Sequence, residues 1–287
     1  MSHVLAADLG GTKTALAQVC GDGTIRTVSR HLAATTLEGS VAQIAAAVGD
    51  AAAVGVIVPG IYTPSTGRAW CPNLWGADEM PLLDALRARI DVPLAIDSDR
   101  AGYVLGEAWL GAARGLRHAV FVALGTGIGV GVLVDGVVLR GAHGIGGAAG
   151  WFALDAAWQD EYAACGCWER KSSGPGIAAA FGATDAATVF RAAREGEARA
   201  QAVLDDAARF AGMGIANLVS LLDPEIVVLG GGVMSGAGER FLESIRREVR
   251  RWAQPVAAGR CRIETTVLGD RAGLLGAARL ALSLHTS

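Results

Sequence analysis

The sequence predicts an α/β protein of two lobes with a cleft between them. Three observations carry this. A strand, a glycine turn, a second strand, another turn and a third strand occur twice, beginning near residues 3 and 118. Each half continues into apolar strands and helical segments. The 287 residues, 52% hydrophobic and 18% charged, suffice to bury two cores.

In chain order, "HVLAADL" reads as a buried strand, "GGTK" as its turn, and "TALAQVC" and "TIRTVSRHL" as the next strands. A helix is expected at about 39–48 and a strand at 53–58. "PLLDALRARI" is amphipathic, "VPLAIDS" is a strand, and 99–115 is a helix with small residues on one side. The second half restarts with "HAVFVAL", the turn "GTG", "IGVGVLV", the hairpin turn "DG" and a third strand, "VVLRG". Residues 141–175 read as loop-rich. Helices are expected over 184–222, a strand into a glycine turn at "EIVVLGGGV", a surface helix at "ERFLESIRREVRRWA", then a strand at 261–267 and a helix at 271–283. The lobes are expected to span 1–110, completed by the last helix within 270–287, and 111–269.

Net charge is −3 with no basic cluster, which argues against nucleic acid as a partner. No apolar run approaches the roughly 20 residues that cross a bilayer, so no membrane partner is expected. Five cysteines, an odd number and mostly scattered, suit a reduced, cytoplasmic protein rather than a disulfide scaffold.

The 40 glycines concentrate in clusters directly after apolar runs. In "DLGGTK", Gly10 and Gly11 let the backbone turn tightly and bring N–H groups to an anion. Thr12 adds a hydroxyl, Lys13 a cation, and Asp8 a carboxylate able to hold the water shell of Mg2+. An ordinary hairpin turn explains the same residues equally well. "GTGIGVG" (Gly125 to Gly131) occupies the equivalent turn of the second half, and "LGGGV" (229–233) links a strand to a helix, where a nucleotide can meet a helix N-terminus. Neither is a dinucleotide fingerprint or a Walker loop. Together they point to a nucleotide gripped across a cleft.

The motifs "DLGGTK", "VPG", "PNLWG", "DSDRAGYVLGE", "LGTGIGVG", "RGAHGIGGAAG" and "LGGGV" fall in the order and spacing of the ROK-family sugar kinases. The chain resembles that family over essentially its whole length. The resemblance implies an actin-like ATPase (ribonuclease H-like) fold that closes on ATP and a sugar, and a homodimer. It makes Asp8, Gly10, Gly11, Thr12 and Lys13 the first phosphate loop, and Gly125, Thr126 and Gly127 the second. It places Gly230, Gly231 and Gly232 on the adenosine side. The family's usual Glu-Asn-Asp-Ala-Asn segment is here Asp97-Ser98-Asp99-Arg100-Ala101, which makes Asp99 the general base. A carboxylate there can accept a sugar hydroxyl's proton as the oxygen attacks the γ-phosphate. Asp99 could also act as the N-cap of the following helix.

Two motifs depart from the family pattern. Ala148 stands where a sugar-contacting Glu is usual, and Trp151 where a His binds both sugar and a structural zinc. Of the usual three zinc cysteines only Cys167 is in register; Tyr162 and Asp160 occupy the other places and Cys165 lies off register. Four N/S ligands are not assembled, so zinc is not expected. Gly60, Asn73, Ser98, Asp99, Trp151 and Glu169 are the expected substrate contacts. The altered partners imply an altered acceptor: a sugar or sugar-like polyol, such as an amino, deoxy or keto sugar or a cyclitol, rather than plain glucose or N-acetylmannosamine. The alternatives are a degenerate sugar-binding or sugar-sensing protein, disfavoured by the retained Asp8, Lys13 and Asp99, and a repressor, which needs a DNA-binding segment before Asp8.

Overall fold

The computed structural model describes residues 3–284; residues 1, 2 and 285–287, at the ends of the expected lobe spans, lie outside it. The first half supplies strands β1 (His3–Leu9), β2 (Lys13–Cys20), β3 (Ile25–Leu32) and β4 (Val54–Val58). Three short strands follow, β5 (Ile61–Thr63), β6 (Arg68–Trp70) and β7 (Glu79–Met80), then β8 (Leu94–Ser98). The second half supplies β9 (Ala119–Leu124), β10 (Ile128–Val134), β11 (Val137–Val138), β12 (Ile226–Gly230) and β13 (Arg262–Thr265).

The two large sheets share one plan. Strand order is β3-β2-β1-β4-β8 in the first and β11-β10-β9-β12-β13 in the second. In each, the first three strands are antiparallel neighbours and the last two run parallel to the first. Continuous apolar runs such as "VGVIV" and "IVVLG" suit the parallel strands, which are covered on both faces. β3 is almost wholly exposed and carries arginines and a histidine, which suit an uncovered edge.

The expected strands occur, with informative differences. The strand expected at "VVLRG" shrinks to two residues, because Arg140 turns away to pair with Asp97. The loop-rich stretch contains helices Tyr162–Cys165 and Cys167–Ser172, and Gly174–Phe181 begins at its end. Elements this short carry no readable period, and the same holds for the small β5-β6-β7 sheet. The helix expected over 99–115 is Asp99–Leu110. It stops because the buried carboxylate of Glu107 takes the Ala112 N–H at 2.8 Å in place of the next helical bond.

Helix Asp99–Leu110 lies between the lobes. Ala101 and Val104 pack with Phe121, Leu133 and Val228 of the second sheet. Its other side meets the C-terminal helix Ala272–Ser283, whose Leu274, Leu275 and Ala278 are buried with Val4, Ala6 and Ile57 of the first sheet. The two helices touch backbone to backbone: a Cβ on Gly276 would collide with the Gly102 carbonyl, and one on Gly106 with that of Ala272. Replacing Gly276 with Leu forces these backbones apart. We expect a loss of about 1–3 kcal/mol, read as a lower urea midpoint. An unchanged midpoint would show that the crossing tolerates a side chain.

Candidate active site

Asp8 is the last residue but one of β1, next to the first glycine turn, where Gly10 N–H donates to Lys13 O at 2.9 Å. Gly11, Thr12 and Lys13 are exposed along the turn, and Asn73, on the short helix Pro72–Trp75, stands beside Gly11. Burial raises the Asp8 pKa to about 7, with like charges on Asp99 and Asp270 adding to the shift. A Cβ on Gly273 would strike the Asp8 carboxylate, so that glycine leaves the acid its room.

The second and third glycine turns meet. Gly125 N–H donates to Gly127 O at 3.0 Å, and a Cβ on Gly125 would lie 3.9 Å from the Gly232 nitrogen. Gly231, at φ +94°, packs under the Leu124 carbonyl. Thr126, Gly231 and Gly232 are exposed, whereas Gly230 is buried against the Phe121 ring and serves packing. Glu169 braces the second turn from behind: its Oε2 accepts the Ile128 N–H at 2.7 Å and sits under Gly127. Burial raises its pKa, opposed by that hydrogen bond.

β8 ends at the seam between lobes. Ser98, not Asp99, caps the following helix, its Oγ accepting from Ala101 N at 3.3 Å. Asp99 is thereby freed from capping. Its Oδ1 accepts the Arg100 N–H at 2.8 Å, and Oδ2 makes no hydrogen bond with the described residues. Burial raises its pKa to about 6, while the Arg100 charge pulls it down. Asp97 points to the other lobe, where Arg140 Nε and Nη2 reach its Oδ2 at 2.8 and 2.6 Å. Arg100 Nη2 donates at 3.2 Å to Gly60 O of the first lobe and at 3.2 Å to Gly144 O of the second.

The structure therefore gathers Asp8, Asp99, Asn73 and Gly60 on the first lobe's side of the seam, with the second and third turns together on the other lobe. Trp151 is 58% exposed on the turn Ala149–Trp151, next to Gly150, which packs on Glu169. Trp75, two residues beyond Asn73, turns inward, donating from Nε1 to Ser40 Oγ at 3.0 Å. Sequence reasoning missed Asp97, Arg100 and Arg140. The signal was present as charges within glycine- and alanine-rich stretches, but only the fold shows that they meet.

The residues present do not fit zinc. Tyr162 is buried and donates from its hydroxyl to Asp155 Oδ2 at 3.1 Å, and Lys171 Nζ stands 3.5 Å from the same oxygen. Trp158 packs edge-on to Tyr162, with centroids 6.0 Å apart. Hydrogen bonds and aromatic packing hold this segment, with Cys167 buried and Cys165 half-buried. Magnesium is a different case. No group of three or more His, Cys, Asp or Glu among the described residues is arranged to grip a metal. Mg2+, which keeps most of its water and leans on substrate phosphates, needs only a carboxylate such as Asp8.

Two sheets of one plan, joined at a seam that carries the acids and flanked by glycine turns, define a two-lobed nucleotide-gripping fold. Comparison with known proteins agrees. A ROK hexokinase from Thermus thermophilus superimposes with a TM-score of 0.87 at 30% identity, covering 99% of this chain and 100% of that one. A ROK glucokinase from Streptomyces griseus, in complex with glucose and AMPPNP, gives 0.80 at 29% identity, covering 98% and 100%. A glucokinase of Streptomyces coelicolor is 30% identical over 320 residues, 98% of each chain. The ROK family profile matches residues 4–283. The chain belongs to the ROK family and has its actin-like ATPase fold.

Raised carboxylate pKa values link the site to stability. The folded state holds the Asp99 proton up to about pH 6, whereas an unfolded Asp releases it near 3.8. Stability from this group is therefore present at low pH and lost as pH rises through about 6. We expect Asp99→Asn to gain stability over the native protein between pH 5 and pH 8 in urea unfolding. A difference that does not change with pH would contradict the burial of this charge.

Proposed function

We propose that this ROK protein is an ATP-dependent kinase that phosphorylates a hydroxyl of a sugar or sugar-like polyol, with Asp99 as the general base. The observation that carries the reading is Asp99 itself: a carboxylate at the seam, near Asp8 of the first glycine turn, with one oxygen that makes no hydrogen bond among the described residues. The names of the relatives, glucokinases and the NanE/NanK enzymes of Brucella among them, support the reaction class.

In this reading, Oδ2 of Asp99 takes the proton of the acceptor hydroxyl. The freed oxygen forms a bond to the γ-phosphorus as the bond to the ADP oxygen breaks. Backbone N–H groups of Gly11–Thr12 and Thr126–Gly127, with Lys13, stabilise the charge that moves onto ADP, while the Gly10 and Gly125 N–H groups close the turns that present them. Gly231 and Gly232 line the adenosine side. Mg2+ held through Asp8 would supply charge neutralisation at the phosphates when bound. Asn73, Gly60, Trp151 and Glu169 border the acceptor, and Ser98 supports it indirectly as the helix cap. The same reading divides the chain into lobes 1–110 with 270–287, and 111–269, and takes the protein as a cytoplasmic homodimer.

Ala148 provides no carboxylate, and Glu169 has one oxygen committed to Ile128 N–H. The acceptor end therefore differs from one built around two acids and a histidine, which argues for an acceptor other than plain glucose or N-acetylmannosamine. An amino, deoxy or keto sugar or a cyclitol fits this reading.

Asp99→Asn is expected to lower kcat by about 10²–10⁴-fold with little change in the KM for ATP. Full activity in this variant would remove Asp99 from the mechanism. With the native enzyme, kcat/KM should fall about tenfold per pH unit below a midpoint near 6, following the Asp99 pKa. In a panel of hexoses, amino and keto sugars and cyclitols, glucose should not have the highest kcat/KM. If it does, the substrate reading fails, and binding without phosphorylation would favour a sensor.

A further inference from the structure

Between β11 and the turn Ala149–Trp151, the second lobe sends out a strap, residues 139–148. It has no apolar anchor: none of these residues is buried, and Leu139 and Ile145 are exposed. Both feet of the strap stand on β10. Leu139 N–H donates to Val132 O at 2.9 Å, and Val130 N–H donates to Gly147 O at 3.0 Å. Gly146 N–H closes the loop on Arg140 O at 2.9 Å. The strap ends at Ala148 and leads directly to Trp151, the stretch that borders the acceptor in the reading above.

Its body crosses the seam. Arg140 Nε and Nη2 both reach Asp97 Oδ2, at 2.8 and 2.6 Å. Asp97 is buried, and its Oδ1 accepts the Ser98 N–H at 2.8 Å. Further along, Gly144 lies so close to β5 that a Cβ there would stand 2.8 Å from Tyr62 O. Arg100 Nη2 donates to the Gly144 carbonyl at 3.2 Å. Among the described residues no other hydrogen bond or ion pair ties the strap to the first lobe. A two-pronged contact between opposite charges is much the stronger of the two ties. Removing Arg140 also leaves a buried carboxylate without that partner, which favours opening of the seam towards water.

We propose that Arg140 is a positioning residue: by fastening to Asp97 across the seam, it holds the strap, and with it the acceptor wall at Ala148 and Trp151, against the first lobe. The ligand's identity rests on the kinase reading above; the fastening itself does not. With the strap unfastened, only the fraction of molecules whose wall is in place binds the acceptor well, and apparent affinity falls by that fraction. The glycine turns assigned to the nucleotide are closed by their own hydrogen bonds, Gly10 to Lys13 and Gly125 to Gly127. ATP affinity is therefore expected to stay as it is.

The test compares wild type with Arg140→Met, Arg140→Lys, Asp97→Asn and the double variant Asp97→Asn/Arg140→Met. Hydrogen exchange reads the strap directly, and titration calorimetry measures ATP, glucose, glucosamine, fructose and myo-inositol separately. In Arg140→Met the amides of 139–148 should exchange at least about tenfold faster, with those of β1 and β9 unchanged. Each sugar or cyclitol that binds wild type should bind about tenfold more weakly, and ATP should stay within about twofold. In turnover, KM for the acceptor should rise by more than kcat falls. Arg140→Lys keeps a charge for Asp97 and should recover part of the affinity. Asp97→Asn keeps an oxygen for the Ser98 N–H, so it tests the same tie from the other side. The double variant should be no weaker than Arg140→Met alone. The proposal is overturned if strap exchange is unchanged, or if the strap loosens and acceptor affinity does not fall. It is also overturned if ATP weakens as much as the acceptors, as a general loss of packing would produce. If no sugar or cyclitol binds wild type while the strap loosens as expected, the kinase reading fails and the fastening by Arg140 stands.

Discussion

The direct contact between helices Asp99–Leu110 and Ala272–Ser283 is the constraint on which the site depends. Side chains larger than a hydrogen at Gly106 and Gly276 would separate the helices, and one at Gly102 would strike Ile57 of β4; each would move the head of the first helix. That head carries Asp97, Ser98, Asp99 and Arg100. The same C-terminal helix supplies Gly273, whose missing side chain leaves room for the Asp8 carboxylate. A packing rule between two helices thus fixes where two acids from different strands come together.

Bringing those acids together costs stability. Asp8 and Asp99 both sit with pKa values raised by burial, to about 7 and about 6. Among the described residues no cation pairs with Asp8 as Arg140 pairs with Asp97. An arrangement that is unfavourable alone is suited to receiving cations and exchanging a proton. Glu169 shows the contrasting use of a half-buried acid, because its hydrogen bond to Ile128 shapes a turn. The two kinds of carboxylate differ in their partners.

The large architecture was legible in the sequence because its elements are long and periodic. β1, β9 and β12 announce themselves as apolar runs ending in glycine, and the doubled strand–turn pattern gives the two-sheet plan. The long helix Ala198–Leu222 is equally plain. The small sheet over 61–80 and the short helices of 162–181 were not legible, since two to eight residues carry no period and are held by tertiary contacts. Among site residues, the glycine turns and the Asp99 position could be read from motif order. The division of labour at 97–100 could not. Ser98 takes the cap, which sequence alone left open to Asp99, and the two arginines find partners 40 or more residues away.

The Glu107 carboxylate, already noted for ending its helix, has a second partner. Oε1 accepts the Thr266 hydroxyl, whose oxygen in turn receives the Leu268 and Gly269 N–H groups at 3.1 Å. Oε2 holds Ala112 N–H, so one buried side chain grips both covalent passages between the lobes. Two stretches of chain more than 150 residues apart are thereby tied to one carboxylate at the far end of the helix that Asp99 begins. The position of that helix along its own axis is set at this tail as much as by the glycine contacts along its side.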